Sequence, residues 1–199
     1  MRALVPVANG NEDIELVSIT DILTRCGIDV VIASIEDQKN VRLMQGLQIE
    51  ADCRLADVLE DDFEAIVMAG GIPGAIRLAE ASGLRGLLIR HHAAGAALAA
   101  ICLAPALVLE PAGVLDACQS VTGNPRQIKT RDQTYAPDAF TRILGDRYDP
   151  SLRVCVDHTQ RIVTSQAPGT AIEFSLAVVR MLAGDAVADT IDHYIMVAH

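Results

Sequence analysis

The chain has 199 residues, with 16 Lys and Arg against 26 Asp and Glu and a formal net charge of −10. Half of it is hydrophobic (51 %), yet it holds no Trp, three Tyr and three Phe. That balance excludes a basic face for a phosphate backbone and an aromatic platform for bases, so no nucleic-acid partner is expected. The length suits one α/β domain over residues 1–199.

In chain order, residues 3–8 read as a first strand, and Asn9-Gly10-Asn11 turns into a helix whose first turns carry Glu12, Asp13 and Glu15. Acidic groups there complement the helix dipole. Ile14, Val17, Ile22 and Leu23 are the expected buried face of this helix. Residues 29–34 form a second strand, and 41–51 a short antiparallel excursion. A strand at 65–69 ends in Gly70-Gly71-Ile72-Pro73-Gly74-Ala75, and a helix follows near 84–94. His91 and His92 on that helix read as surface residues or partners of its C-terminal dipole.

The apolar run 96–101 reads as a strand leading to Cys102, and 103–109 as the helix after it. Cys102 thus sits at a strand-to-helix corner, the position of many hydrolase nucleophiles. The helix dipole is expected to lower its thiol pKa. Segments 120–123, 153–156 and 161–165 read as strands. The loop 166–169 opens a helix from 170 to 182, and 185–197 closes the chain as another.

Strands alternating with helices indicate a flavodoxin-like, doubly wound, mainly parallel sheet sandwiched by helices. Ligands bind such sheets outside the carboxyl ends of the strands, so Cys102, Gly71 and the start of the first helix should converge. The apolar stretch 93–109 is broken by Gly95 and Pro105, which argues against a membrane span. The first residues read as a strand and not a secretory signal. Five cysteines (Cys26, Cys53, Cys102, Cys118, Cys155) lack metal-type spacing, and His158, His193 and His199 are scattered, so no metal and a reduced, cytoplasmic setting are expected. Apart from Cys102, the cysteines read as small buried apolar residues.

Four pieces in register carry a resemblance. They are Gly10-Asn11-Glu12-Asp13-Ile14-Glu15, Ala69-Gly70-Gly71-Ile72-Pro73-Gly74-Ala75, Ala100-Ile101-Cys102-Leu103-Ala104-Pro105 and the late segment 164–174. Together they resemble the ThiJ/PfpI superfamily, in its Parkinson disease protein 7 and YajL-like branch. The resemblance implies Cys102 as nucleophile and Glu15 as a protonated carboxyl hydrogen-bonded to its sulfur. It also implies the amides of Gly71 and Leu103 as an oxyanion hole, Gly70 and Asn124 as pocket residues, no cofactor, and a homodimer. Arg25 matches a family arginine near the dimer-proximal site.

Two positions depart from the family. Leu103 stands where the protease branch has a histidine directly after the cysteine. Asn124, in Thr122-Gly123-Asn124-Pro125, stands where Parkinson disease protein 7 has one. Proton transfer then rests on Glu15 and water. The activity implied is a cofactor-independent glyoxalase or deglycase reaction on small dicarbonyls such as glyoxal and methylglyoxal, with repair of glycated protein as related chemistry. The alternative is a non-enzymatic oxidative-stress sensor or redox-regulated chaperone that uses oxidation of Cys102.

Overall fold

The computed structural model describes residues 1–124 and 139–197. Pro125 and His199, noted in the sequence, lie outside the described residues. The elements in order are β1 (Arg2–Val7), α1 (Asp13–Arg25), β2 (Asp29–Ser34), β3 (Asn40–Arg42), β4 (Gln48–Glu50), β5 (Cys53–Arg54) and β6 (Ala65–Met68). There follow α2 (Gly74–Glu80), α3 (Leu84–Ala93), β7 (Ala97–Ile101), α4 (Ala139–Leu144), β8 (Val154–Asp157), β9 (Ile162–Ser165), α5 (Ala171–Ala183) and α6 (Asp185–Ile195).

Seven strands form one sheet in the order β5-β2-β1-β6-β7-β9-β8, parallel except for β8 against β9. β1, β6 and β7 are apolar along nearly their whole length, and these three and β9 are buried along nearly all of theirs, the pattern of parallel strands covered on both faces. From β1 the chain crosses outward to β2, and from β6 it crosses the opposite way to β7. Right-handed crossovers in opposite directions place α1 and the α2–α3 pair on opposite faces. The point where the direction reverses lies between β1 and β6, where such sheets bind ligands. The doubly wound, mainly parallel fold expected from the sequence is the fold found. Among the described residues, no helix is long and apolar enough to cross a membrane.

Three local expectations are corrected. The buried face of α1 is Glu15, Leu16, Ile19, Ile22 and Leu23, while Ile14 and Val17 are about half exposed. At about 3.6 residues per turn, Glu15 falls on the same arc as Leu16, Ile19, Ile22 and Leu23, and Ile14 and Val17 fall on the opposite one. Residues 120–123 form no strand, only a bridge between Val121 and Tyr148. Their polar groups are engaged elsewhere: the Thr122 N–H donates to Thr164 Oγ1 (2.9 Å), and the Asn124 N–H to the Cys102 carbonyl (3.0 Å). His91 is buried, not a surface residue. Its Nε2 accepts from the Phe63 N–H (3.1 Å), and its Nδ1 lies 2.9 Å from the Leu87 carbonyl, which a protonated Nδ1 satisfies.

Candidate active site

The ends of β1, β6 and β7 meet at the reversal point. Asn11 joins the first two. Wholly buried, it accepts the Ala8 N–H on Oδ1 (2.6 Å) and donates Nδ2 to the carbonyls of Gly70 (2.7 Å) and Ala69 (3.2 Å). In the sequence Asn11 reads as a turn residue and as part of the Gly10–Glu15 motif, with no bonding role of its own. Its signal was there: a strand-end asparagine ahead of a glycine pair can satisfy several backbone groups at once.

Glu12 caps α1, accepting the Glu15 N–H on its carboxylate at 2.8 Å. That bond fixes the first turn and aims Glu15 into the interior, where it has no solvent exposure. Glu15 Oε2 accepts the Gly70 N–H at 2.7 Å. Its other oxygen, Oε1, is buried without a hydrogen-bond partner, and the carboxyl group interacts with the Cys102 thiol. Burial first, helped by the Glu12 charge and opposed by the Gly70 N–H, pushes the Glu15 carboxyl up to about 8. At neutral pH the side chain therefore holds its proton. Since Oε2 is accepting the Gly70 N–H, the proton belongs on Oε1.

Cys102 has φ +66°, a left-handed conformation that a side chain with a Cβ rarely adopts. Neighbouring bonds hold it there: its N–H donates to the Ser165 carbonyl (2.9 Å), and its carbonyl accepts from Asn124. This is the sharp elbow expected from the sequence, with the backbone strain centred on the cysteine itself. The sulfur receives Asn124 Nδ2 at 3.5 Å and the Gly71 N–H. Gly70 must be glycine, because a Cβ there would stand 2.6 Å from the Cys102 Cβ. Gly71, at φ +90°, takes the backbone turn that points its amide inward. Leu103 is buried beside them, and its nitrogen borders the same space, 3.0 Å from where a Gly70 Cβ would stand.

The expected lowering of the thiol pKa by a helix dipole is not what the surroundings deliver. Cys102 is 4 % exposed, and burial, followed by the Glu15 charge, raises its pKa against the pull of Asn124 and Gly71. The segment after it is a five-residue π-type helix, Pro105–Leu109, too short to carry a full macrodipole. Protonating Glu15 removes the carboxylate charge from beside the sulfur and turns Oε1 into a donor. The two groups therefore titrate as a pair.

Glu15, Gly70, Gly71, Cys102, Leu103 and Asn124 are thus gathered around one sulfur. Among the described residues no group of three or more His, Cys, Asp or Glu could hold a metal, and no histidine acts on the Cys102 thiol. A groove of about 660 Å³ lies elsewhere, along β8 with Cys155, Asp157 and His158 in its wall.

A doubly wound sheet with a strained, carboxyl-partnered cysteine at its reversal point defines a cysteine-centred α/β protein. The chain belongs to the DJ-1/PfpI family, whose model matches residues 1–181. It is 34 % identical over 97 % of its length to protein DJ-1 homolog A of Arabidopsis thaliana, covering 46 % of that relative. The chain thus spans about half the length of that curated relative. It is 29 % identical over 87 % of its length to a Caenorhabditis elegans protein named glutathione-independent glyoxalase DJR-1.2, covering 83 % of it. Among solved structures it is similar to oxidized Toxoplasma gondii DJ-1, with 35 % identity, a TM-score of 0.88 and coverage of 100 % of this chain and 99 % of that one.

Proposed function

We propose that the protein is a cofactor-independent glyoxalase acting on small dicarbonyls through Cys102. The observation that carries this reading is the wholly buried Glu15 carboxyl, pushed up to about 8 by burial and set against the Cys102 thiol. Likeness to a relative named as a glyoxalase supports it.

The thiol proton passes to water as Cys102 Sγ adds to one aldehyde carbon of glyoxal or methylglyoxal, and Glu15 Oε1 protonates the new oxyanion, leaving a Glu15 carboxylate. This gives a hemithioacetal. The Glu15 carboxylate then takes the C–H proton from that carbon and returns it to the neighbouring carbonyl carbon, whose oxygen takes up the proton that the hemithioacetal hydroxyl gives up. The first carbon is oxidised to a thioester and the second reduced to a carbinol, with no outside electron acceptor. Water cleaves the thioester, releases glycolate or lactate, and restores the thiol. The Gly71 and Leu103 amides stabilise the oxyanion, and Gly70 and Asn124 border the pocket. Deglycation of protein would follow the same steps on an adduct.

The test is repeated turnover. Wild type given excess glyoxal, without glutathione, should form glycolate in many-fold excess over enzyme. Formation that stops at one equivalent, or modified Cys102 without glycolate, would replace this reading.

The second reading is an oxidative-stress sensor, favoured by the same Oε1 proton, which would hydrogen-bond a sulfinate on Cys102. It is supported by likeness to a solved relative described as oxidized.

A homodimer belongs to the same proposal. Exposed Ile14 and Val17 lie beside the β3–β4 hairpin, whose Met44 and Leu47 are also exposed, and Asp13 ties the hairpin to α1 by accepting the N–H groups of Gln45 (2.7 Å) and Leu47 (3.1 Å). Such a patch marks an interface. Val17→Asp should shift sedimentation from dimer toward monomer; an unchanged sedimentation coefficient would place the contact elsewhere.

A further inference from the structure

Two thiols outside the proposed reaction share one corner of the molecule. β8 is an edge strand, and Cys155 on it is half-buried in the wall of the 660 Å³ groove that also exposes Ser120, Asp157, His158 and Gln160. Its sulfur donates to the Ser120 carbonyl at 3.2 Å. Cys118, two residues before Ser120, is 4 % exposed behind it. Residues two apart on a strand point to the same side, so Cys155 and Asp157 face together. Asp157 and Cys155 both lie close enough to act on the Cys118 thiol, and both push its pKa up. Cys118 therefore stands alongside Cys155, one thiol reachable from the groove and one behind it.

We propose that Cys155 and Cys118 form a second thiol site, separate from Cys102, in which Cys155 is attacked from the groove by a low-molecular-weight disulfide and Cys118 resolves the adduct into an internal disulfide. In the first exchange the Cys155 sulfur attacks one sulfur of the small disulfide, whose S–S bond breaks. A mixed disulfide forms, and the displaced thiolate takes the Cys155 proton. In the second, Cys118 Sγ attacks the Cys155 sulfur, its proton passes by way of Asp157 to the departing thiol, and a Cys118–Cys155 bond replaces the mixed one. One small disulfide is reduced to two thiols, and two protein thiols are oxidised to one disulfide. The bond would tie the segment after β7 to the sheet edge. Burial raises both thiols, Cys118 to about 12, so the exchange is slow and its extent, not its initial rate, is the quantity to read.

Wild type and Cys102→Ser are incubated with oxidised glutathione and mapped by mass spectrometry without reduction. Both should yield a joined Cys118–Cys155 peptide two hydrogens lighter than the sum of its parts. Cys118→Ser should instead retain glutathione on Cys155, and Cys155→Ser should give neither product. Circular dichroism checks that each variant folds, and the wild-type map decides the matter if Cys118→Ser does not. Persistent glutathione on wild-type Cys155 without the joined peptide, no modification of Cys155, or pairing of either residue with Cys26 or Cys53 would overturn the proposal.

Discussion

Glu15→Gln should lower dicarbonyl turnover about 10²-fold or more while leaving the fold in place, the usual scale for removing a general acid–base group. The glutamine oxygen can accept the Gly70 N–H that Oε2 accepts now, and its amide keeps the size and donor capacity of a protonated carboxyl beside the Cys102 sulfur. What it cannot do is accept the substrate C–H proton and return it. Asn124, the other side chain at the sulfur, has the same incapacity. Oxidation of Cys102 to sulfinate should survive the substitution better than turnover does, because oxidation needs only a donor. The check is glycolate formation under saturating glyoxal beside the mass of Cys102 after peroxide. Near-normal turnover in Glu15→Gln would assign the proton to another group.

The same carboxyl should make stability fall as pH rises. Unfolded, Glu15 titrates near the ordinary carboxyl value of 4.5; folded, it titrates near 8. Between those values the folded state binds a proton that the unfolded state has released. Its contribution is therefore complete below pH 4.5 and is lost as pH climbs through 8. Wild type should lose about 3–4 kcal/mol of unfolding free energy from this group between pH 5 and 8.5. Glu15→Gln carries no such titration and should gain on wild type by that amount across the same range. The Glu12 carboxyl, also raised by burial, adds a slope of the same sign to both proteins and cancels in the difference. Urea unfolding of the two at pH 5, 7 and 8.5 measures it. A constant difference between them would mean that folded Glu15 is ionised throughout.

How far these residues could be found in the sequence follows from what each depends on. The sheet was legible because buried parallel strands are short apolar runs ended by glycine, asparagine or proline, and the order of those turns puts Cys102, Gly71 and Glu15 on one rim. Gly70 and Gly71 were visible as residues, and their reason became visible only in space: one clears the Cys102 Cβ, the other turns its amide inward. The orientation of α1 was misread because Ile14 and Val17 look like core, while the residue that goes inside is an acid. A buried carboxylate defies apolar periodicity, and such violations gather at functional sites. The thiol pKa was misjudged for a related reason. A dipole argument can be made from sequence, but desolvation depends on what surrounds the sulfur. The strand expected at 120–123 failed because polar side chains such as Thr164 took the backbone bonds that a ladder needs.

The most direct measurement is hydroxy-acid formation by wild type and Cys102→Ser at equal concentration, each shown folded by circular dichroism. Wild type should release lactate from methylglyoxal over many turnovers without added thiol, and Cys102→Ser should release none above the buffer rate. Equal lactate from the two proteins, or none from either, would contradict a reaction carried by Cys102.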